Sequence, residues 1–347
     1  MAEFYSSKGD QLSTIVVERR ATRLLPFAAC GLLIWAAAIS TRGQAVPPAH
    51  AVLLQCSELN ESSGVGQTGR LIWTHNDSGD VPRLIAFAQD GTLHGQYMVR
   101  GAQAIDWEDM CAFERNGKRY LAVGDIGDNS AQRKSVRVYV IEVPAALLAE
   151  AAPSTAGLPA LGNGQRGTQR GTSSPDRPHT PAIAELTVQA IFEVTYPTGP
   201  VNCEALAYDP LSQSFLLATK ELLNCRLFRV AAPTLSGTQR VQAEFVGSLF
   251  LPLVTGGDIS PDGKQLVLST YGPGCMLQRP VNEVNQPADW QTQAEPAAVI
   301  FALPNRKQGE SICFSEDGQR LWLTSEGVPA PLFDLALPQP GHEAGQP

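Results

Sequence analysis

The side chains able to do chemistry sit in short clusters, each closing an apolar run. "WTHNDSGD" (73–80) carries His75, Asn76, Asp77 and Asp80. "DWED" (106–109), "GDIGDN" (124–129) and "TKE" (219–221) end or begin similar runs in the same way. Carboxylates brought together repel one another and persist only where a cation, a basic side chain or protonation relieves them. Calcium suits such a set, because it takes about six to eight oxygen ligands. On that reading Glu58, Asp77, Asp109, Glu204 and Glu310 are candidate metal ligands, with Asn76 and Asn202 adding amide oxygens. Asn76, Asp125, Asp128, Lys220, Glu221 and Glu326 are candidate ligand-binding residues. His75 is the one histidine inside a motif, and it is placed to act as general base on a metal-held water.

The same residues have a purely structural reading. Asn, Asp, Ser and Gly favour turns for separate physical reasons, and the carboxylates have Lys220, Arg83 and Arg133 as partners. Other chemistry is absent from the sequence. It contains no GxSxG elbow, no GxxxxGK[ST] loop and no HExxH, and "GNGQRG" (162–167) follows no strand. No CxxC pair is present, which argues against structural zinc.

The clusters need elements to hold them. After residue 46 the chain is a series of short β-rich runs bounded by turn residues, with Asp90-Gly91, Asn116-Gly117, Asp262-Gly263 and Asp317-Gly318 where tight hairpins belong. Segments 108–125, 203–221 and 309–326 share one plan: an acidic residue, a strand ending near an aromatic, a turn, a second strand and a polar cluster. Segment 256–272 fits with Thr255 in the acidic position, and 57–77 fits more loosely. A repeat of about fifty residues carrying four strands is the mark of a β-propeller blade. The spacing predicts an all-β propeller of five or six four-stranded blades over residues 46–337. Segment 150–182, rich in Gly, Pro, Ser and Thr, is a disordered insertion in the second blade, and 338–347 form a tail. "AVLLQC" (51–56) is placed to complete the last blade. In such a ring the leading acidic residues and the ends of the second strands gather at one channel mouth.

Arg19, Arg20 and Arg23 precede an uncharged run at 24–40, and small-x-small sites follow at 43–45 and 49–51. Residues 1–45 therefore read as a signal peptide or an uncleaved membrane anchor helix, and the rest as exported, periplasmic or extracellular. The formal net charge is −8; residues 1–45 hold five Lys/Arg and three Asp/Glu, so the remainder carries −10. That balance excludes nucleic acid as a partner and limits membrane contact to the N-terminal segment. Six cysteines remain beyond Cys30, and export permits disulfides among them. Cys203 and Cys225 are the leading pair, provided that the loop between them folds inward.

Through "THNDSGD", "DWED", "GDIGDN", "NCEAL", "TKE", "DISPDG", "GES" and "SEG" the chain resembles a group of bacterial exported β-propeller proteins with no established activity. More remotely it is similar to the six-bladed calcium-dependent hydrolases and lactonases, and that likeness implies channel-mouth carboxylates holding calcium. Two functions follow as expectations. One is a binding or scaffold protein that holds a small molecule or protein at its acidic rim. The other is a calcium-dependent hydrolase of an ester, lactone or phosphoester.

Overall fold

The computed structural model describes residues 50–150, 184–281, 290 and 298–338. The expected leader, almost all of the 150–182 insertion and all but the first residue of the tail lie outside the described residues. What is described is all-β, apart from one short helix, Ala145–Glu150. None of its helices is long and apolar enough to cross a membrane.

Strand β1 (His50–Leu53) precedes an antiparallel unit of β2 (Ser62–Thr68), β3 (Leu71–Asn76), β4 (Arg83–Ala88) and β5 (Leu93–Arg100). The second unit is β6 (Trp107–Arg115), β7 (Lys118–Asp125), β8 (Val136–Glu142) and β9 (Ala184–Thr195). The third holds β10 (Cys203–Asp209), β11 (Ser214–Thr219), β12 (Cys225–Ala231) and β14 (Glu244–Leu249), while β13 (Gly237–Gln242) leaves it to pair in parallel with β9. The fourth is β15 (Val254–Ile259), β16 (Gln265–Thr270), β17 (Gly274–Gln278) and β18 (Ala298–Phe301). The last has β19 (Ile312–Phe314), β20 (Arg320–Thr324) and β21 (Pro331–Ala336), and β1 pairs with β21 as its fourth strand. The N-terminal strand thus ties the two ends of the ring together, as the sequence predicts. Unit one and unit two also merge, because the start of β9 runs parallel to β5.

The ring is closed by apolar packing between consecutive units. Trp73 and Leu84 of the first unit pack with Leu121 and Tyr139 of the second. Phe192 of the second meets Phe215 and Phe228 of the third. Corresponding cores join third to fourth through Leu216 and Leu268, fourth to fifth through Met276 and Leu323, and fifth to first through Trp322 and Phe87. Because each inner strand is covered on both faces, β10 and β15 are buried at every position and show no alternation. Each fully buried Phe or Leu contributes about 1.5–3 kcal/mol. Asn116 and Gly117 both take positive φ (54° and 72°), as a two-residue hairpin between β6 and β7 requires. Inner strands β2, β6, β10, β15 and β19 neighbour one another in that cyclic order, which is the connectivity of a β-propeller.

The expected Cys203–Cys225 bridge is not formed: all six described cysteines are buried free thiols. Cys203 pairs across to Thr219 on β11, and Cys225 lies beyond that strand on β12. Two strand spacings separate them by about 10 Å, where a disulfide needs Cα atoms within about 7 Å. Cys203 Sγ instead accepts a hydrogen bond from the Tyr196 hydroxyl at 3.3 Å. Burial pushes the Cys203 thiol up to about 12. Alkylation of the native full chain with iodoacetamide should therefore spare these six cysteines, and unfolding without reductant should expose all six to label. A disulfide-linked pair of peptides in the mass spectrum would contradict this packing.

Candidate functional site

Inner strands enter the ring from one rim, and four of the five begin with an irregularity. Pairing shifts between Trp107 and Asp109, between Cys203 and Ala205, between Val254 and Gly256, and between Ser62 and Val65. The residue pushed out of the ladder is Glu108 in the second unit, Glu204 in the third and Thr255 in the fourth. Glu310 stands two residues before β19 in the fifth. A bulge re-aims its side chain, and here it turns the acidic residues toward one mouth.

Glu108, Asp77 and Asp106 bring carboxylate oxygens within 4.8 Å of one another. Gly127 lies directly beneath, and a Cβ there would collide with Glu108 Oε1 and Asp106 Oδ2. Glu108 also stands within hydrogen-bonding reach of Glu204. Burial, then the charges of Glu204 and Asp77, hold the Glu108 carboxyl well above the usual range, so it keeps a proton. Burial also pushes Asp77 up to about 6 and Glu310 up to about 7. Asp106 is raised by burial, with Arg133 opposing.

Lys220, at the end of β11, supplies the positive charge. Its Nζ is 3.2 Å from Glu204 Oε2 and 4.9 Å from the centre of the Tyr271 ring. Burial opposes that charge, but Glu204, Tyr271 and Glu310 outweigh it and hold the ammonium above its ordinary range. Asn202 Nδ2 donates to Glu204 Oε1 at 2.8 Å. Glu326 enters the same field, its carboxyl raised by burial and by Glu61. Burial lowers Arg306 to about 10, while Glu310 pulls the other way.

Asp77, Glu204, Glu310, Lys220 and Glu326 thus stand near one another at this mouth, and other candidates stand elsewhere. Glu58 is exposed on the loop before β2, bonded to Ser57 Oγ at 2.9 Å. Asp109, one residue past the bulge, is fully buried inside the ring. Its Oδ1 accepts from Met110 N at 2.8 Å, and its Oδ2 accepts from Leu206 N at 2.9 Å and Gly257 N at 3.1 Å. The carboxylate therefore joins the second, third and fourth units. Asp258, which the sequence reading passes over, does the same for the fifth by accepting from Phe314 N at 2.9 Å. Ser63 Oγ donates to the Glu108 carbonyl, linking the first unit to the second.

His75 is wholly buried between the first two units, edge-on to Trp107 at 5.3 Å and against Gly64. Its Nδ1 lies 2.8 Å from the Asn76 carbonyl oxygen. Burial lowers the imidazole to about 4, so it is neutral at neutral pH. Asn76 organises the loop around it, accepting from Asn60 N and Glu61 N and donating to the Glu58 carbonyl and Asp80 Oδ2. Asp125 Oδ1 accepts from Asp106 N at 3.0 Å and pairs with Arg133 at 2.9 Å. Asp128 accepts from Gln132 N and Arg133 N, closing its own loop. Glu221 is held by Arg226 Nε at 2.6 Å and the Thr219 hydroxyl at 2.8 Å.

Sequence reasoning missed Glu108 and Asp106. The signal was present: aligning "DWE" on "NCE" in place of aligning the aromatics puts Glu108, not Asp109, beside Glu204. A separate cavity of about 280 Å³ opens at the other rim, lined by Phe113, Tyr208, Phe314 and Asp258 among others, away from the carboxylates of the mouth.

No protein-family profile matches the sequence, and no curated protein does. Solved structures give weak likenesses. The PQQ-bound aldose sugar dehydrogenase from Streptomyces coelicolor is 14% identical, over 84% of this chain and 100% of that one, with a TM-score of 0.40. A luciferin-regenerating enzyme is 9% identical over 84% and 96%, at 0.41, and a Dos1 propeller 9% identical over 79% and 68%, at 0.34. At these scores the likenesses carry no argument about function, and the fold rests on the strand order above.

Proposed function

We propose that the chain is an exported, five-bladed propeller that binds a positively charged ligand at its acidic mouth. The observation that carries this is the convergence of five carboxyls from four units, Asp77, Asp106, Glu108, Glu204 and Glu310, against three basic side chains, Lys220 at Glu204, Arg133 near Asp106 and Arg306 near Glu310. Such a group is relieved by a cation. Binding is favoured over hydrolysis by what the mouth offers: carboxylates, a tyrosine and a lysine held protonated, with His75 buried away from solvent. Export is supported by the basic and apolar leader and by the motif resemblance, and the blade count by the five antiparallel units.

A divalent cation such as calcium is the second reading, favoured by the 4.8 Å limit among Asp77, Asp106 and Glu108 oxygens. Calcium–oxygen bonds of about 2.3–2.6 Å let one ion reach two oxygens roughly that far apart. Gly127 leaves the room those carboxylates occupy. A calcium-dependent hydrolase of an ester, lactone or phosphoester would require a base beside that ion other than His75.

Both readings are tested by melting the full chain with calcium, with chelator and with arginine amide. A ligand at about 100 times its Kd adds about 2.7 kcal/mol to the folded state, or roughly 5–10 °C for a chain of this order. Gly127→Ala and Glu204→Gln should blunt the calcium shift. A melt indifferent to calcium, chelator and arginine amide alike would remove the acidic-mouth reading.

A further inference from the structure

The acidic mouth is ringed by exposed apolar side chains. Eleven large apolar residues are exposed among the described ones, and seven of them, Val81, Ile105, Leu222, Leu223, Phe250, Tyr271 and Val328, stand in loops at this rim. Leu222 and Leu223 are adjacent at 80% and 66% exposure, in the β11–β12 loop just past Lys220 and Glu221. Val81 follows Asp80, Ile105 precedes Asp106, and Val328 lies two residues past Glu326. Tyr271 covers Lys220. Every unit of the ring except the second adds a loop between its second and third strands to this collar, and Ile105 opens the second.

Scattered exposed apolar residues need no explanation, whereas a rim that collects them around a charged centre marks an interaction surface. Its chemistry restricts the occupant. The carboxylates call for a cation at the centre, and the collar calls for apolar groups on either side of it. A second copy of this chain docked through the same face would bring two acidic mouths together. A membrane bearing anionic headgroups would meet like charge.

Resting on the reading of the mouth as a cation site, we propose that this rim docks a polypeptide segment of another protein, one that presents a Lys or Arg side chain between apolar residues. The cationic side chain enters among Asp77, Glu204 and Glu310, and its apolar neighbours lie on Leu222, Leu223 and Val328. Central charged or aromatic anchors with an apolar surround dominate the energetics of such interfaces.

The test uses the full chain and a labelled, capped heptapeptide with one arginine, two leucines on each side and a serine at each end. Fluorescence anisotropy should show binding that weakens at least about tenfold when citrulline replaces arginine, and at least about tenfold when serines replace the leucines. The double variant Leu222→Ser, Leu223→Ser should lose a similar factor with an unchanged melting temperature, since both side chains face solvent. Citrulline and arginine peptides binding equally would overturn the proposal, as would no binding at all. If arginine amide and calcium still stabilise the chain but the leucine flanks add nothing, the collar proposal fails and the acidic-mouth reading stands. If arginine amide and calcium also do nothing, both fail. Sedimentation with phosphatidylserine vesicles, or a concentration-dependent dimer blocked by the double variant, would equally replace the proposed occupant with another.

Discussion

Asp109→Ala should lower the melting temperature by roughly 10 °C, while Glu108→Gln, one residue earlier, should leave it unchanged or raise it. The two side chains differ in what they hold. Asp109 is completely buried and accepts three backbone N–H groups from β6, β10 and β15. Removing it leaves those amides without an acceptor at the centre of the ring. A buried unsatisfied amide costs about 1–3 kcal/mol, and such costs overlap, so about 4 kcal/mol for the site is reasonable. At 2–4 °C per kcal/mol this gives the stated shift. Asp109→Asn should recover only part of it, because an NH₂ group would replace one oxygen and face an N–H donor. Glu108 makes no comparable contribution. Its carboxyl is held protonated by burial and by Glu204 and Asp77, so glutamine keeps both shape and charge state. Thermal unfolding followed by circular dichroism decides the matter. An Asp109→Ala variant melting within about 2 °C of the parent would refute the role of this carboxylate in joining the units.

That contrast shows where the sequence was readable and where it was not. Strand positions, hairpins at Asn116-Gly117 and Asp262-Gly263, and the closing strand near residue 51 follow from local chemistry, because turn residues and β-branched runs act over a few positions. The location of Asp77, Glu204 and Lys220 at one mouth follows from repetition alone. Choosing between Glu108 and Asp109 depends on a bulge, and a one-residue register change sends a side chain to the opposite face. The second unit carries one more residue between its bulged acid and the aromatic than the third does, from Glu108 to Phe113 against Glu204 to Tyr208. Aligning the aromatics therefore selected the wrong member of the pair for the mouth. Glu58 was misplaced for a related reason: β2 begins at Ser62, so the acidic residue falls outside the unit. His75 could not be assessed from its motif. Its fate is decided by Trp107 and Gly64, residues brought beside it by the ring.

Stability should rise as pH falls from 8 to 5, and calcium should remove the part of that dependence that arises at the mouth. Asp77 is raised to about 6 and Glu310 and Asp258 to about 7, each chiefly by burial, against ordinary values near 4. The folded state therefore holds these protons more tightly than the unfolded chain does. Their contribution is fully present below about pH 4 and is lost as pH rises through 6 to 7. Glu58, Asp80 and Asp317 lie on the other side of their ordinary values, and their contributions disappear only in more acidic solution. Between pH 5 and 8 the raised carboxyls thus set the slope, with Glu108 and Asp109 also held well above their ordinary values by burial. His75 works against them: burial lowers it to about 4, so its contribution instead falls away below about pH 6.5. A tenfold difference in proton affinity between the folded and unfolded chain is worth about 1.4 kcal/mol, so Glu310 and Asp258 together reach a few kcal/mol, or roughly 5–10 °C. A cation at the mouth prefers the ionised forms of Asp77 and Glu310 and should stabilise the chain most at pH 8 and least at pH 5. Asp258 accepts amide hydrogens from Ile259 and Phe314 and lines the cavity at the far rim, so its share of the slope should survive saturating calcium. Melting curves at several pH values, with calcium and with chelator, separate the two contributions. A melting temperature that climbs from pH 5 to 8 without calcium would show that these carboxyls do not carry their protons in the folded state, and would overturn burial as the force that sets their charge.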